Sequence, residues 1–217
     1  MSLKEQIEGM KSKFLPQVPD QIKDLMRKAE EGLRQLRLAE RALGTGDIAS
    51  DFTLPNVKGE AVSSKALRED GPVVLSFYRG SWCPYCNLEL KALQDVHAEI
   101  QALGASLVAI SPQLPDETMS SAEKTQLEFE VLSDVNSEVA DQYGLTFSLA
   151  EELRPIYKKW GADVAAANND PDCKLPLPAT YVIAQDGKIV NCFADEDYTL
   201  RLEPDEILDS LRELQKD

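Results

Sequence analysis

The chain has 217 residues, 43% of them hydrophobic, with a net charge of −15 and a single histidine. A chain of this length buries roughly 70% of its unfolded surface and needs neither disulfide nor metal to be stable. So acidic a surface repels phosphate backbones and anionic lipid, which excludes nucleic-acid and membrane-surface partners.

The N-terminus, MSLKEQIEGMKSKFLPQ, spreads charge through every turn and has no apolar signal core. No later run approaches the ~20 apolar residues of a membrane span, so the chain is expected in the cytoplasm. A short helix is predicted around residues 3–14 and a longer one over 19–43. In the longer one, Ile22, Leu25, Met26, Ala29, Leu33, Leu36, Ala39 and Leu43 recur at steps of three and four. That stripe is expected to pack on the domain or on a second subunit, so a homodimer is considered. GTGD at 44–47 ends this extension and opens a domain running from 44 to 217.

Within that domain the predicted elements alternate. PVVLSFY (72–78) reads as a buried strand and Pro84 to about Leu103 as a helix; SLVAIS (106–111) and FEVLS (129–133) read as further strands. Short helices are predicted around 116–125 and 136–143, with another in LAEELRPIYKKW (149–160), kinked or begun at Pro155. Residues 161–178 read as a long connection of the kind that often lies over a functional site. ATYVIA and KIVNCFA then flank the hairpin turn Gln185-Asp186-Gly187, and Pro204 opens a last helix. This order predicts an α/β fold: a central mixed β-sheet, strand 73–78 in its middle, with helices on both faces.

Chemistry centres on GSWCPYC, where Cys83 and Cys86 stand at the handover from strand to helix. The positive end of the helix dipole favours an anion there, and a thiol in such a place can ionise near neutral pH. Residues three apart on a helical turn bring their Cβ atoms within roughly 5–6 Å, so the pair can close to a disulfide and reopen. Zinc would need two more ligands, and Cys173, Cys192 and His97 form no second knuckle; no metal and no other cofactor is expected. His97 lies roughly 16 Å along the helix from Cys86 and reads as structural. Arg79, just before the pair, is a candidate to stabilise a thiolate or else a solvated surface residue. Cys173 reads as a loop cysteine and Cys192 as packing.

WCPYC resembles the thioredoxin active site, and the wider chain resembles the alkyl hydroperoxide reductase/thiol-specific antioxidant family, the peroxiredoxins and their Cys-x-x-Cys relatives. The likeness runs from GDIASDFTLPNVKGEAV, where Ser50 replaces the usual proline, through VVLSFYRGSWCPYC, LVAISPQ and FEVLSDVNSEVADQYGL to LPLPATYVIAQDGKIVNCFADEDYTLRLEPDEIL. It implies a thioredoxin-like fold over about 44–215, with the N-terminal helices outside. Laid over the family's Pro-x-x-x-Thr-x-x-Cys, the peroxidatic cysteine falls on Cys86, the threonine on Cys83 and the proline on Arg79. The family's peroxide-polarising arginine would fall near Pro178, which instead matches the thioredoxin-type cis-proline facing the cysteines. Arg201 is a possible source of the missing charge that sequence alone does not place.

The resemblance implies a thiol-dependent peroxidase acting on hydroperoxides through a Cys83/Cys86 cycle, with thioredoxin or glutathione as reductant. In that reading Cys86 attacks and Cys83 resolves. Trp82, Pro178 and Arg79 are expected at the substrate. The alternatives are a protein-disulfide reductase with Cys83 as nucleophile, or a redox sensor that does not turn over.

Overall fold

The computed structural model describes residues 1–115 and 127–216. Helix α1 (Leu3–Phe14) opens on a capping box between Ser2 and Glu5 and closes on Lys11 and Lys13, which suit the negative end of the dipole. Helix α2 (Asp20–Leu36) follows, and the helix expected over 19–43 breaks at Arg37, whose φ of 50° is left-handed. In an unbroken helix Leu38 would lie about 140° round the axis from buried Leu33, off the packed stripe. The reversal turns Leu38 into the core as the start of α3 (Leu38–Arg41).

A small hairpin, β1 (Thr53–Pro55) with β2 (Ala61–Ser63), and the Ser63-capped helix α4 (Ser64–Asp70) precede the main sheet; neither carries a periodic signal in the sequence. The apolar run becomes β3 (Val73–Phe77), buried at every position. The helix expected over 84–103 is two, α5 (Pro84–Asp95) and α6 (His97–Ala102), parted at Val96, whose φ of −106° and ψ of 4° leave the helical range. Strands β4 (Ser106–Ser111) and β5 (Glu130–Ser133) lie where expected, and the helix expected at 116–125 lies outside the described residues. Helix α7 (Glu138–Gln142), strand β6 (Thr146–Ser148) and helix α8 (Arg154–Lys159), with Pro155 in its first turn, follow.

The stretch 161–178 is more structured than expected. Asp163 caps α9 (Val164–Asn168) by accepting from the Ala166 N–H, and β7 (Lys174–Pro176) finds a partner in β6. That pairing is distant in sequence, so local composition does not reveal it. The chain ends with β8 (Ala179–Ile183), β9 (Ile189–Ala194) and α10 (Pro204–Leu214).

The main sheet has the order β5-β4-β3-β8-β9, with β3, β4 and β5 parallel and β8 and β9 antiparallel. Strand β3 is central, as expected. Its period of two sends Val74 to the face covered by α5, α6, α10 and α1, and Val73, Leu75 and Phe77 to the face covered by α7 and the α2–α3 turn. This is the thioredoxin-like arrangement. The N-terminal helices pack onto it directly: Leu3 and Ile7 are buried in the same cluster as Cys83, Cys86 and Leu90.

The extension also grips the segment between β9 and α10. Glu203 accepts hydrogen bonds from the N–H groups of Leu3 (3.0 Å) and Lys4 (2.8 Å), at the positive end of α1. Lys11 donates to Thr199 Oγ1 (3.0 Å), and the Ala39 N–H donates to Glu196 (3.0 Å). Among the described residues no helix is long and apolar enough to cross a membrane.

Candidate functional site

The turn between β3 and α5 is built to present Cys83. The Cys83 N–H donates to Gly80 O (3.0 Å), the Ser81 N–H to Gln113 Oε1 (2.9 Å), and Asn87 Nδ2 to Ser81 O (2.8 Å). Gly80 has φ +141°, and a Cβ there would stand 2.5 Å from Trp82 Nε1, so only glycine lets the indole close over the turn. Cys83 is the N-cap of α5 and Cys86 lies in its first turn, as the sequence implied. All four cysteines are free thiols, and both members of the pair are fully buried and hydrogen-bonded to each other.

Two arginines address the two sulfurs. Arg79 is 3% exposed, not a solvated surface residue, and its Nη2 donates to Cys83 Sγ at 3.1 Å. Its guanidinium sits between two rings, 4.0 Å from the Tyr198 centroid and 5.1 Å from that of Trp82. Arg201 supplies the charge that sequence left unplaced: its Nη2 lies 3.5 Å from Cys86 Sγ. Arg201 is already paired with the buried carboxylate of Glu89, which also accepts from Thr180 Oγ1 at 3.2 Å. Among the described residues no carboxylate pairs with Arg79.

This asymmetry separates the two thiols. Burial alone raises the Cys83 pKa, but the hydrogen bond from Cys86 and the charges of Arg79 and Arg201 outweigh it and hold Cys83 well below the ordinary thiol value. Burial pushes Cys86 well above that value, and its hydrogen bond to an anionic neighbour adds to the shift. The pair therefore gives up one proton readily and keeps the second. Burial likewise raises the Glu89 pKa, opposed by Arg201.

Trp82, Arg79 and Tyr85 line a cavity of about 380 Å³ whose other walls include Tyr157, Trp160, Tyr198 and, from the extension, Met10, Phe14 and Met26. Pro178 does not behave as expected. Among the described residues every peptide bond is trans, and Pro178, though buried, does not line this cavity. The chain passes extended through it: the Leu177 N–H donates to Leu145 O (2.8 Å), and Ala179 pairs at once with Phe77. A trans amide, preferred by about 0.5–1 kcal/mol, suits that path.

His97 is buried against Phe129, ring centroids 5.7 Å apart. Cys173 is buried in a second cluster with Leu149, Leu153 and Tyr157, and burial raises its pKa. Cys192 is half-buried on β9, 3.7 Å from Thr45 Oγ1. The reading of the sequence missed Glu89, Tyr157, Tyr198 and the three residues of the extension. Only Glu89 left a trace, three residues beyond Cys86 and hence on the same helix face.

Comparison with known proteins agrees with this picture. The profile of the AhpC/TSA family matches residues 45–192. A putative peroxiredoxin of Mycobacterium tuberculosis, Rv1608c, is 29% identical over 168 residues, covering 77% of this chain and 96% of the relative. Peroxiredoxin Bcp of Escherichia coli is 33% identical over 103 residues, 48% of this chain and 65% of that one. The crystal structure of peroxidoxin BcpB from Mycobacterium tuberculosis superposes with a TM-score of 0.61 at 27% identity, covering 79% of this chain and 97% of that one. The matched profile begins beyond the N-terminal helices.

Proposed function

The chain belongs to the AhpC/TSA family and is a thiol-dependent peroxidase of the peroxiredoxin kind, and from that premise we propose that Cys83 attacks the hydroperoxide and Cys86 resolves. The observation that carries this assignment is the 3.1 Å hydrogen bond from Arg79, a buried cation with no carboxylate partner among the described residues, to Cys83 at the cap of α5. The family pattern points instead to Cys86. Here Cys86 faces an arginine whose charge Glu89 already balances, and its thiol keeps its proton.

In the first step the Cys83 thiolate forms an S–O bond with the terminal peroxide oxygen as the O–O bond breaks. The departing alkoxide or hydroxide takes one proton and leaves as alcohol or water, and Cys83 becomes a sulfenic acid. Arg79 steadies the thiolate and then the oxygen charge that develops beside it. Cys86 then attacks the Cys83 sulfur, water leaves, and the disulfide forms. A dithiol of the thioredoxin type, or glutathione in a cytoplasmic setting, returns the pair to the reduced state through a mixed disulfide. Both thiols and both arginines used in this cycle come from one chain.

The test is a pair of variants given one equivalent of hydrogen peroxide, with dimedone trapping and mass spectrometry. Cys86→Ser is expected to form the trapped sulfenic acid rapidly at Cys83, and Cys83→Ser to react only slowly. The reverse pattern would return the attacking role to Cys86. A low-pKa thiolate at the cap of a Cys-x-x-Cys helix also suits protein-disulfide reduction. Insulin reduction by the wild-type chain outpacing peroxide turnover would favour that second reading.

A further inference from the structure

The segment between β9 and α10, residues 195–203, completes the thiol site and has neither strand nor helix to hold it. It carries two groups that touch the site: the Tyr198 ring, 4.0 Å from the Arg79 guanidinium, and Arg201, with Nη2 3.5 Å from Cys86 Sγ. Arg201 is tied to its own segment, since Nη1 donates to the carbonyl oxygens of Tyr198 and Leu200. The guanidinium therefore goes where this backbone goes. A backbone with no ladder of its own takes its shape from side chains. Asp197 supplies part of that shape, accepting from the Thr199 N–H at 3.0 Å and from Thr199 Oγ1 at 2.6 Å.

The rest comes from the N-terminal extension. Lys11 Nζ of α1 donates to Thr199 Oγ1 at 3.0 Å, and it lies 4.0 Å from Asp197 and 3.8 Å from Glu8. The Thr199 hydroxyl is buried; it donates to Asp197 while accepting from Lys11, and so joins the helix to the turn. Leu202 packs with Leu3 and Ile7 in the cluster that holds both thiols, and Glu203 takes the N–H groups at the start of α1. Positions 196, 199, 202 and 203 thus meet the extension, while 198 and 201 meet the groups around the thiols. Neither α1 nor this segment lies within residues 45–192 matched by the family profile, so the contact is a feature of this chain and not of the profile.

We propose that Lys11 and Thr199 are positioning residues of the thiol pair: α1, gripping the segment through them, sets the Tyr198 ring on Arg79 and the Arg201 guanidinium on Cys86. Both act through Tyr198 and Arg201. In the peroxidase cycle, on which this role rests, a loosened segment leaves Arg79 with one ring in place of two and draws Arg201 away from Cys86. Each sulfur anion then loses support from a nearby cation.

Thiol alkylation of the full chain tests this without peroxide. In a Cys86→Ser background, iodoacetamide alkylation is followed at Cys83 by peptide mass spectrometry across pH. The midpoint should rise by about 0.5–1 unit in Lys11→Met and equally in Thr199→Val, the range that loss of one hydrogen bond allows. Thr199→Val keeps shape and net charge, so an equal shift there separates positioning from the direct field of the Lys11 ammonium. The double variant should shift no further than either single one, because both remove the same contact. Lys11→Arg, which keeps donor and charge, should return the midpoint to the parent value. Lys23→Met, which removes a charge paired with exposed Asp20 on the same extension, should leave it in place. In a Cys83→Ser background the Cys86 midpoint should rise too, since Arg201 favours that anion as well. A purely structural role would lower the urea midpoint and leave both alkylation midpoints in place. That result, a shift in Lys11→Met absent from Thr199→Val, or an equal shift in Lys23→Met would each overturn the proposal and leave the peroxidase reading intact. A wild type that fails to turn over hydrogen peroxide, with the midpoints moving as stated, would overturn the peroxidase reading and uphold the positioning role.

Discussion

Replacing Arg79 by methionine in a Cys86→Ser background isolates the interaction on which the site depends. The methionine fills much of the space between Trp82 and Tyr198 but removes both the charge and the donor 3.1 Å from Cys83. A hydrogen bond to a charged group contributes about 1.5–3 kcal/mol, which at 1.36 kcal/mol per unit corresponds to a rise of about one to two units in the Cys83 pKa. The sign follows from the anion being the form that Arg79 favours. Two effects then compete at neutral pH. The thiolate fraction falls by up to about ten- to a hundredfold, but each remaining thiolate is more basic and more nucleophilic, with a Brønsted slope of about 0.4–0.5. The net expectation is an alkylation rate by iodoacetamide about three- to tenfold slower than in the parent at neutral pH. At alkaline pH, where both thiols are ionised, the order reverses and the variant reacts faster. Arg79→Lys, which keeps the charge but not the planar fork, should shift the midpoint less. A rate profile whose midpoint stays in place or moves to lower pH would refute the assignment of Arg79 as the group that holds Cys83 ionised.

Glu89→Gln removes the carboxylate that balances Arg201, so in a Cys83→Ser background the Cys86 thiol should become more acidic and alkylate faster at neutral pH; slower alkylation would contradict the pairing. Glu203→Gln loses a charge bound at the positive end of α1 and should lower stability by about 1–2 kcal/mol in urea unfolding, whereas an unchanged midpoint would show that α1 is held by packing alone. The stability difference between wild type and Cys83→Ser should depend on pH. The folded-state pKa of Cys83 is depressed, so its contribution is full above the ordinary thiol value of about 8.5 and disappears as pH falls through the folded value. Cys86, shifted upward, acts in the opposite sense, its contribution being lost as pH rises through its own folded value. Thermal melts of wild type and Cys83→Ser across neutral to mildly alkaline pH check the first of these, and a difference that shrinks as pH rises toward 8.5 would contradict it.

The sequence alone determined the parts of this protein that depend on local pattern. The buried run at 73–77 could only be an interior strand, and the spacing of apolar residues set the terminal helices. Two cysteines three apart, after a strand and around a proline, announced a dithiol at a helix mouth. Tertiary structure decided the rest, because the forces involved act between residues far apart in the chain. Which sulfur is the better thiolate depends on whether an arginine near it is already neutralised. That comparison joins Arg79, Glu89 and Arg201, three residues from two ends of the domain. The break at Arg37 and the pairing of β6 with β7 are likewise packing outcomes with no local signature. The placement of the first 43 residues, legible in sequence only as an amphipathic stripe, is set by packing: Leu3 and Ile7 join the cluster that holds the thiols, and Phe14 and Met26 line the cavity beside Arg79. An apolar stripe specifies that a surface must be covered, and only the fold determines which surface it covers.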